Sequence, residues 1–406
     1  MRSRVLPLVA LLLCAGVFFI GLSASTGLHQ NDEDFYLAVA SNMLESGDWV
    51  VPHWSGQPTF TKPPLLYWLI AASMRVFGST LLAGRLPVAL LAVLTIAAVL
   101  GLGRRVLESD AHAALAALLT GTTIGFLQFG RVGMMEVPLC FFYLCATWAA
   151  WRIGQGSARA CYGFAVAATG SVLLKGPATA LVPLLGAFIW IGAGRRRDPG
   201  RADLPWLHIG GGLLLFLAMV GAWPLAVHQR GLYDAFYAEF VVGENMGKFV
   251  GDRGPVLGML GGYGALLIPW TLLVVGALWT WVRGGGEGSP AVVRLCLSFV
   301  MANLIFYSLP AVKWARYLLP STPLLALLLA DVGVRRPFGD ESAPDRTEVG
   351  LAGVFAPLRV SPAVKCGAVI TGAVFLLVVP LLAIGSRLFP DMLTRVEILV
   401  LSLALA

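Results

Sequence analysis

The sequence is punctuated by apolar runs long enough to cross a bilayer, which takes about 17 to 25 residues of helix. They lie near 5–24, 81–103, 111–128, 137–151, 160–174, 177–194, 206–227, 256–282, 291–309, 317–334, 363–386 and 396–406. Barrel strands are shorter and alternate polar with apolar residues, so the runs predict helices. Composition closes the remaining alternatives. Of 406 residues, 58% are hydrophobic and 13% charged, whereas soluble domains carry about 25% charged residues. Soluble domains, a disordered chain, a coiled coil and a disulfide-stapled secreted scaffold are thereby excluded. The expected fold is an all-α polytopic membrane protein with about 11–12 transmembrane helices. It is expected to form a single transmembrane domain over 1–406 with no soluble C-terminal domain, although the last run stops at Leu-Ala-Leu-Ala, too short to cross.

Arg2 and Arg4 before the first run allow a signal peptide, but the run is long for one and further spans follow, so a signal-anchor helix is expected. Alternating the spans from a cytoplasmic N-terminus puts most of the Lys and Arg on the inner side, as the positive-inside rule requires. The formal excess of +7 then belongs wholly to the cytoplasmic face, and no basic stripe with interleaved aromatics argues for nucleic acid. The inner segments are short Arg-containing turns, apart from a flexible loop at 335–362. Two outer segments, 25–80 and 228–255, are long and polar. Long polar loops on one face of a bundle are where chemistry is expected.

Residues 31–46 predict an amphipathic helix too polar to span, with Tyr36, Val39, Ala40 and Met43 on one stripe and Gly47 as its stop. Such a helix belongs at the membrane surface. Asp32, Glu33 and Asp34 crowd its first turn. Acids there complement the helix dipole, and one of them is alternatively a general base at the membrane boundary. Further on, Lys62-Pro63-Pro64 should be extended until Pro64 opens a helix to about Phe77 as its first residue. Lys62 beside a helix N-terminus suits a phosphate, and equally suits a lysine reaching to lipid headgroups.

Several pieces in this order resemble one family. Asp32-Glu33-x-x-Tyr36, then Met43 to Pro52, then Lys62-Pro63-Pro64-Leu65-Leu66-Tyr67-Trp68 are similar to the ArnT-like glycosyltransferases of the protein O-mannosyltransferase superfamily, which have the GT-C fold. The similarity continues in Arg131-x-Gly133-Met134-Met135-Glu136-x-Pro138, Lys175-Gly176-Pro177 and Lys313-x-x-x-Tyr317-x-x-Pro320.

The resemblance implies juxtamembrane helices in the first outer loop and a polyprenyl-phosphate-linked sugar as donor. It places transfer on the periplasmic face of a bacterial inner membrane. It makes Asp32 the catalytic carboxylate and Glu136 the second acid, where many relatives have Asp. Relatives also carry Glu and His, as candidate ligands of a divalent metal, where this chain has Thr61 and Met246. Neither is a good zinc ligand, so no metal is expected there. His29, His53 and His228 lie in outer segments, as isolated histidines.

Transfer from a polyprenyl phosphate builds negative charge on the leaving phosphate and oxocarbenium character on the sugar, so nearby cations accelerate it. Lys62 is the first candidate, supported by Arg131, Lys248, Lys313 and Tyr317, with Arg316 as suited to headgroups as to this role. Asp32 as base implies inversion; Glu33 and Tyr36 are expected to orient substrate. The acceptor is a lipid A-type glycolipid, another envelope glycan or a protein hydroxyl. A lipid-binding or transport protein on the same scaffold, without catalysis, is the competing reading. Cys14, Cys140, Cys145, Cys161, Cys296 and Cys366 fall in or beside spans without a C-x-x-C pair, as small apolar residues.

Overall fold

Within the described residues the apolar runs become helices, and the polar segment between the first two becomes a shelf at one end of the bundle. The computed structural model describes residues 2–23, 31–107, 109–197, 203–250, 254–282 and 289–334. Helix α1 (Arg2–Phe19) is followed by α2 (Asn31–Ser46), a two-stranded hairpin of β1 (His53–Trp54) and β2 (Gln57–Pro58), and α3 (Leu65–Phe77). The bundle continues with α4 (Leu81–Val106), α5 (Asp110–Gly121), α6 (Ile124–Phe129), α7 (Glu136–Ile153), α8 (Ala158–Lys175), α9 (Ala178–Arg197) and α10 (Trp206–Gln229). A short α11 (Tyr233–Phe236) leads into a π-helix, Tyr237–Met246, and a 3₁₀ turn, Gly247–Phe249. Last come α12 (Val256–Leu266), α13 (Thr271–Val282), α14 (Pro290–Ser308), a 3₁₀ turn (Ala315–Ser321) and α15 (Thr322–Val334).

Among the described residues four helical stretches are long and apolar enough to cross a membrane: Leu81–Val106, Trp206–Gln229, Pro290–Ser308 and Ala315–Val332. Two expected spans are corrected. The run at 256–282 is not one helix, because Val256–Leu266 and Thr271–Trp279 meet at 117°. The run at 111–128 is also interrupted, between α5 and α6. The two interruptions face each other. The Ile124 N–H donates to the Ile268 carbonyl at 2.8 Å, and Trp270 Nε1 donates to Thr122 Oγ1 at 2.9 Å. Each break supplies partners that the other's apolar surroundings withhold. The expected spans at 363–386 and 396–406, the loop at 335–362, His29 and Cys366 lie outside the described residues.

Helices approach closely where one side offers no side chain. A Cβ on Gly170 of α8 would stand 2.2 Å from the Phe142 ring of α7, and one on Gly186 of α9 would stand 2.6 Å from Phe299 of α14. The shelf packs by the predicted stripe: Tyr36, Val39, Ala40 and Met43 are all buried. Helix α3 starts one residue later than expected, with Pro64 at its N-cap and the Trp68 N–H bonded to the Pro64 carbonyl at 2.9 Å. The hairpin pairs His53 with Pro58 and Trp54 with Gln57. Its two-residue turn puts Ser55 at φ 51° and Gly56 at φ 76°, the left-handed pair that such turns require. A second small apolar cluster of Val51, Phe60, Trp223, Val227, Phe236 and Phe240 fastens the π-helical segment to the shelf.

Candidate active site

A cavity of about 360 Å³ opens between the shelf, the N-terminus of α7, the C-terminus of α8, the π-helix and the 3₁₀ turn before α15. Asp32, Phe35 and Tyr36 of α2 form one wall, and Thr61 and Lys62 another. Met135, Glu136 and Lys175 come from the bundle, Glu244 and Lys248 from the second outer segment, and Arg316 and Tyr317 from the 3₁₀ turn. Four cationic side chains therefore meet three carboxylates.

Arg316 links two of those carboxylates. Its Nη2 donates to Asp32 Oδ2 at 3.1 Å, and its Nε lies 3.5 Å from Glu136 Oε1. The same Glu136 oxygen is 3.5 Å from Lys175 Nζ, which also lies 4.3 Å from the centre of the Tyr317 ring, a cation–π distance. Glu136 Oε2 is buried without a hydrogen-bond partner among the described residues. On the other wall, Glu244 accepts from Lys62 and, at 2.8 Å, from Lys248. Lys175 owes its place to the Lys-Gly-Pro motif. Gly176 sits at φ +117°, a backbone conformation that favours glycine, and a Cβ there would crowd the Asn245 side chain of the second outer segment at 2.9 Å.

Burial, and next the neighbouring Lys248, hold the Lys62 ammonium below the ordinary lysine range, with Glu244 opposing the shift. Burial pushes the Glu244 carboxyl up, but Lys62 and Lys248 outweigh it and the net displacement is downward. Tyr36 is pushed well above its ordinary range by burial, then by Glu136 and Asp32. It is a neutral phenol at physiological pH.

Of the residues expected at the site, Asp32, Glu136, Lys62, Lys248, Tyr36 and Tyr317 line one cavity. Three others lie elsewhere. Glu33 is fully buried: its Oε1 accepts from Arg85 Nε at 2.7 Å and the Gly133 N–H at 2.6 Å, and its Oε2 from Arg85 Nη2 at 2.8 Å. Its position does not let it touch a substrate in the cavity. Arg131 donates to the Ile20 carbonyl, and so ties the end of α1 to the turn before α7. Lys313 donates to the Pro310 carbonyl at 2.8 Å and does not line the cavity. Lys175 and Glu244 were not among the expected phosphate-binding or catalytic residues. Lys175 was signalled only as part of a motif, and Glu244 only as a neighbour of Met246.

A divalent metal at the place the resemblance implies would have to be held by the donors near Thr61 and Met246. Thr61 offers a hydroxyl that lies 3.4 Å from the Thr59 hydroxyl, Met246 is 58% exposed, and Glu244 already faces two ammonium groups. His53 Nδ1 is 2.9 Å from the Val51 carbonyl, and His228 packs edge-on against Tyr233. No cluster of three His, Cys, Asp or Glu side chains occurs among the described residues. These donors do not fit a zinc-type ion, which takes imidazole, thiolate and carboxylate ligands.

A membrane protein whose spans surround a charged cavity roofed by a juxtamembrane shelf is the architecture of the GT-C class. Residues 61–223 match the family model described as dolichyl-phosphate-mannose-protein mannosyltransferase. The chain is 29% identical over 358 residues to undecaprenyl phosphate-alpha-4-amino-4-deoxy-L-arabinose arabinosyl transferase 1 of Pseudomonas fluorescens, covering 82% of this chain and 60% of that protein. It is 30% identical to the corresponding transferase of Pseudomonas aeruginosa, covering 80% of this chain and 59% of that protein. The fold is similar to the crystal structure of ArnT from Cupriavidus metallidurans bound to undecaprenyl phosphate, with a TM-score of 0.66, 22% identity, and coverage of 80% and 59% of the two chains. The chain is thus similar to the ArnT-like transferases over about 80% of its length and shares the fold of a solved ArnT. It spans about 60% of the length of the curated relatives it matches.

Proposed function

We propose that this chain is an inverting glycosyltransferase that takes a sugar from a polyprenyl phosphate and passes it to an envelope acceptor. The observation that carries this reading is Arg316 bridging Asp32 and Glu136 in a cavity that three lysines also enter. The acceptor hydroxyl attacks the anomeric carbon while the bond from that carbon to the phosphate oxygen breaks. The polyprenyl chain leaves as a phosphate monoester, and Asp32 takes the hydroxyl proton. A base so placed contributes about 10²–10⁴-fold.

Lys62, Lys248, Lys175 and Arg316 are the cations for the leaving phosphate, whose charge grows in the transition state. Tyr317 donates a hydrogen bond beside them. Glu136 holds Lys175 and Arg316 through one oxygen and keeps the other for a sugar or acceptor hydroxyl. Tyr36, held neutral, orients the acceptor. Lys62 and Lys248 occupy Glu244 in place of a metal ion, so the proposed reaction needs no divalent cation.

The names of the relatives support undecaprenyl phosphate as the lipid of the donor and a lipid A-type glycolipid as acceptor. The charge asymmetry of the sequence supports an inner membrane with the N-terminus in the cytoplasm and the cavity on the periplasmic face. Mass spectra of lipid A and envelope glycoproteins, from cells with and without the gene, test the assignment. A sugar added to lipid A only when the gene is present is expected. The same sugar on protein alone would move the acceptor to the protein O-mannosyltransferase type. Lipid binding without any transfer would leave a non-catalytic lipid-binding protein.

A further inference from the structure

The π-helix has a geometric effect that an α-helix of the same sequence would not have. Glu239 and Glu244 are five residues apart within Tyr237–Met246. Five residues of an α-helix turn through about 500°, leaving two side chains about 140° apart. The i→i+5 hydrogen bonding of a π-helix brings residues five apart close to one face. Both carboxylates use that face on the same short segment of the first outer loop. Glu239 Oε1 accepts from Thr59 Oγ1 at 3.0 Å, and its Oε2 accepts from the Phe60 N–H at 2.8 Å. Glu244 accepts from the Lys62 ammonium.

Glu239 does not line the cavity, yet it fixes the backbone two residues before Lys62. That segment belongs to no helix or strand, so Glu239 supplies what a regular element would otherwise supply. The Phe60 side chain is fully buried against Trp223 and Phe236, which pins the same residue from its other side. Lysine is a flexible point charge on a four-carbon stem, and its burial here carries a desolvation cost. Where its ammonium stands therefore depends on how firmly its backbone is held.

We propose that Glu239 is a positioning residue of the donor site. By gripping Thr59 and Phe60 it sets the Lys62 ammonium for the phosphate of the lipid-linked substrate. This rests on the polyprenyl-phosphate reading above.

The full chain in detergent or nanodiscs, undecaprenyl phosphate as probe, and amide hydrogen exchange over 59–62 provide the test. In E239A the Phe60 amide should lose its protection and undecaprenyl phosphate binding should weaken about tenfold, the scale of hydrogen bonds to a charged group. E239Q keeps one acceptor oxygen and should stay within about threefold of the unsubstituted chain. In a K62M background E239A should cost nothing further, because Glu239 acts through Lys62. A merely structural link would not give that non-additivity. Unchanged binding in E239A, unchanged Phe60 exchange, or a full additional loss in the K62M background overturns the proposal. If the unsubstituted chain does not bind undecaprenyl phosphate, the donor reading falls and this proposal with it. Equal binding by the unsubstituted chain and E239A overturns this proposal alone.

Discussion

Asp32 and Glu33 are neighbours in one helix turn, yet they belong to opposite kinds of environment. The Glu33 side chain is 1% exposed, and both of its oxygens are matched, Oε1 by Arg85 and the Gly133 N–H and Oε2 by Arg85. The Asp32 side chain is 47% exposed and meets the described protein through one guanidinium, which it shares with Glu136. A buried pair with every donor matched holds the shelf against α4 and the turn before α7. A cluster with an unmatched carboxylate oxygen and surplus cations is incomplete as structure. Arg85 also donates to the Leu22 carbonyl at 3.2 Å, so a single guanidinium joins the end of α1, the shelf and α4. Polar groups in an apolar interior are built to be fully satisfied, and the departure from that rule at Glu136 is what the proposed substrate site rests on.

The contrast is broken most directly at its two carboxylates. D32N should lower sugar transfer by about 10²–10⁴-fold while leaving thermal stability and undecaprenyl phosphate binding near those of the unsubstituted chain. Unaffected transfer in D32N would remove the proposed base. E33A should do the reverse in kind: about 3–5 kcal/mol of stability lost through the stranded Arg85, measured by thermal unfolding in detergent. If E33A unfolds like the unsubstituted chain, the buried pair is not the anchor described.

The next effects are smaller and sharpen the cationic side. K248M should weaken undecaprenyl phosphate binding about tenfold, as loss of one charged contact does. The pH dependence has a definite sign. Lys62 is charged below its folded pKa, which lies beneath the ordinary lysine range, so transfer should fall as pH rises through that lowered value. E244Q removes the group that opposes the lowering and should move this basic limb to lower pH. K248M removes a like charge and should move it to higher pH. Limbs that do not move would detach Lys62 from the phosphate. Glu244, displaced downward, contributes stability that is present above the ordinary glutamate range and is lost as pH falls through its folded pKa. The smallest effects are expected from K313A, whose transfer rate should stay within about threefold, and from chelation with EDTA, which should change nothing.

The apolar runs among the described residues were legible as helices because length and apolarity alone specify them, but only four stretches there are long and apolar enough to cross a membrane unbroken, fewer than the runs suggest. Their interruptions were not, since Thr122 and Pro269 lie in apolar runs and the partners that stabilise each break come from the other segment. Asp32 and Glu33 could not be told apart from residues 31–46, because Arg85 is 52 residues from Glu33 and Arg316 is 284 residues from Asp32. Lys62 and Tyr36 were readable as candidates from local chemistry, the one before a helix and the other one turn from Asp32. Arg131 and Lys313 are cations in the right motifs, but backbone carbonyls claim them. A sequence shows that a charge is present; only the fold shows whether it is already matched.

The facing breaks of α5–α6 and α12–α13 also bear on how the protein is made. Thr122 and Trp270 are 148 residues apart along the chain, so the ribosome delivers the first break long before its partner exists. Until Ile268 arrives, the Ile124 N–H lacks its final acceptor, and insertion of that region into the bilayer is provisional. The first half of the molecule is thus expected to wait at the translocon, or in the keeping of a membrane chaperone, for the second half to seal it.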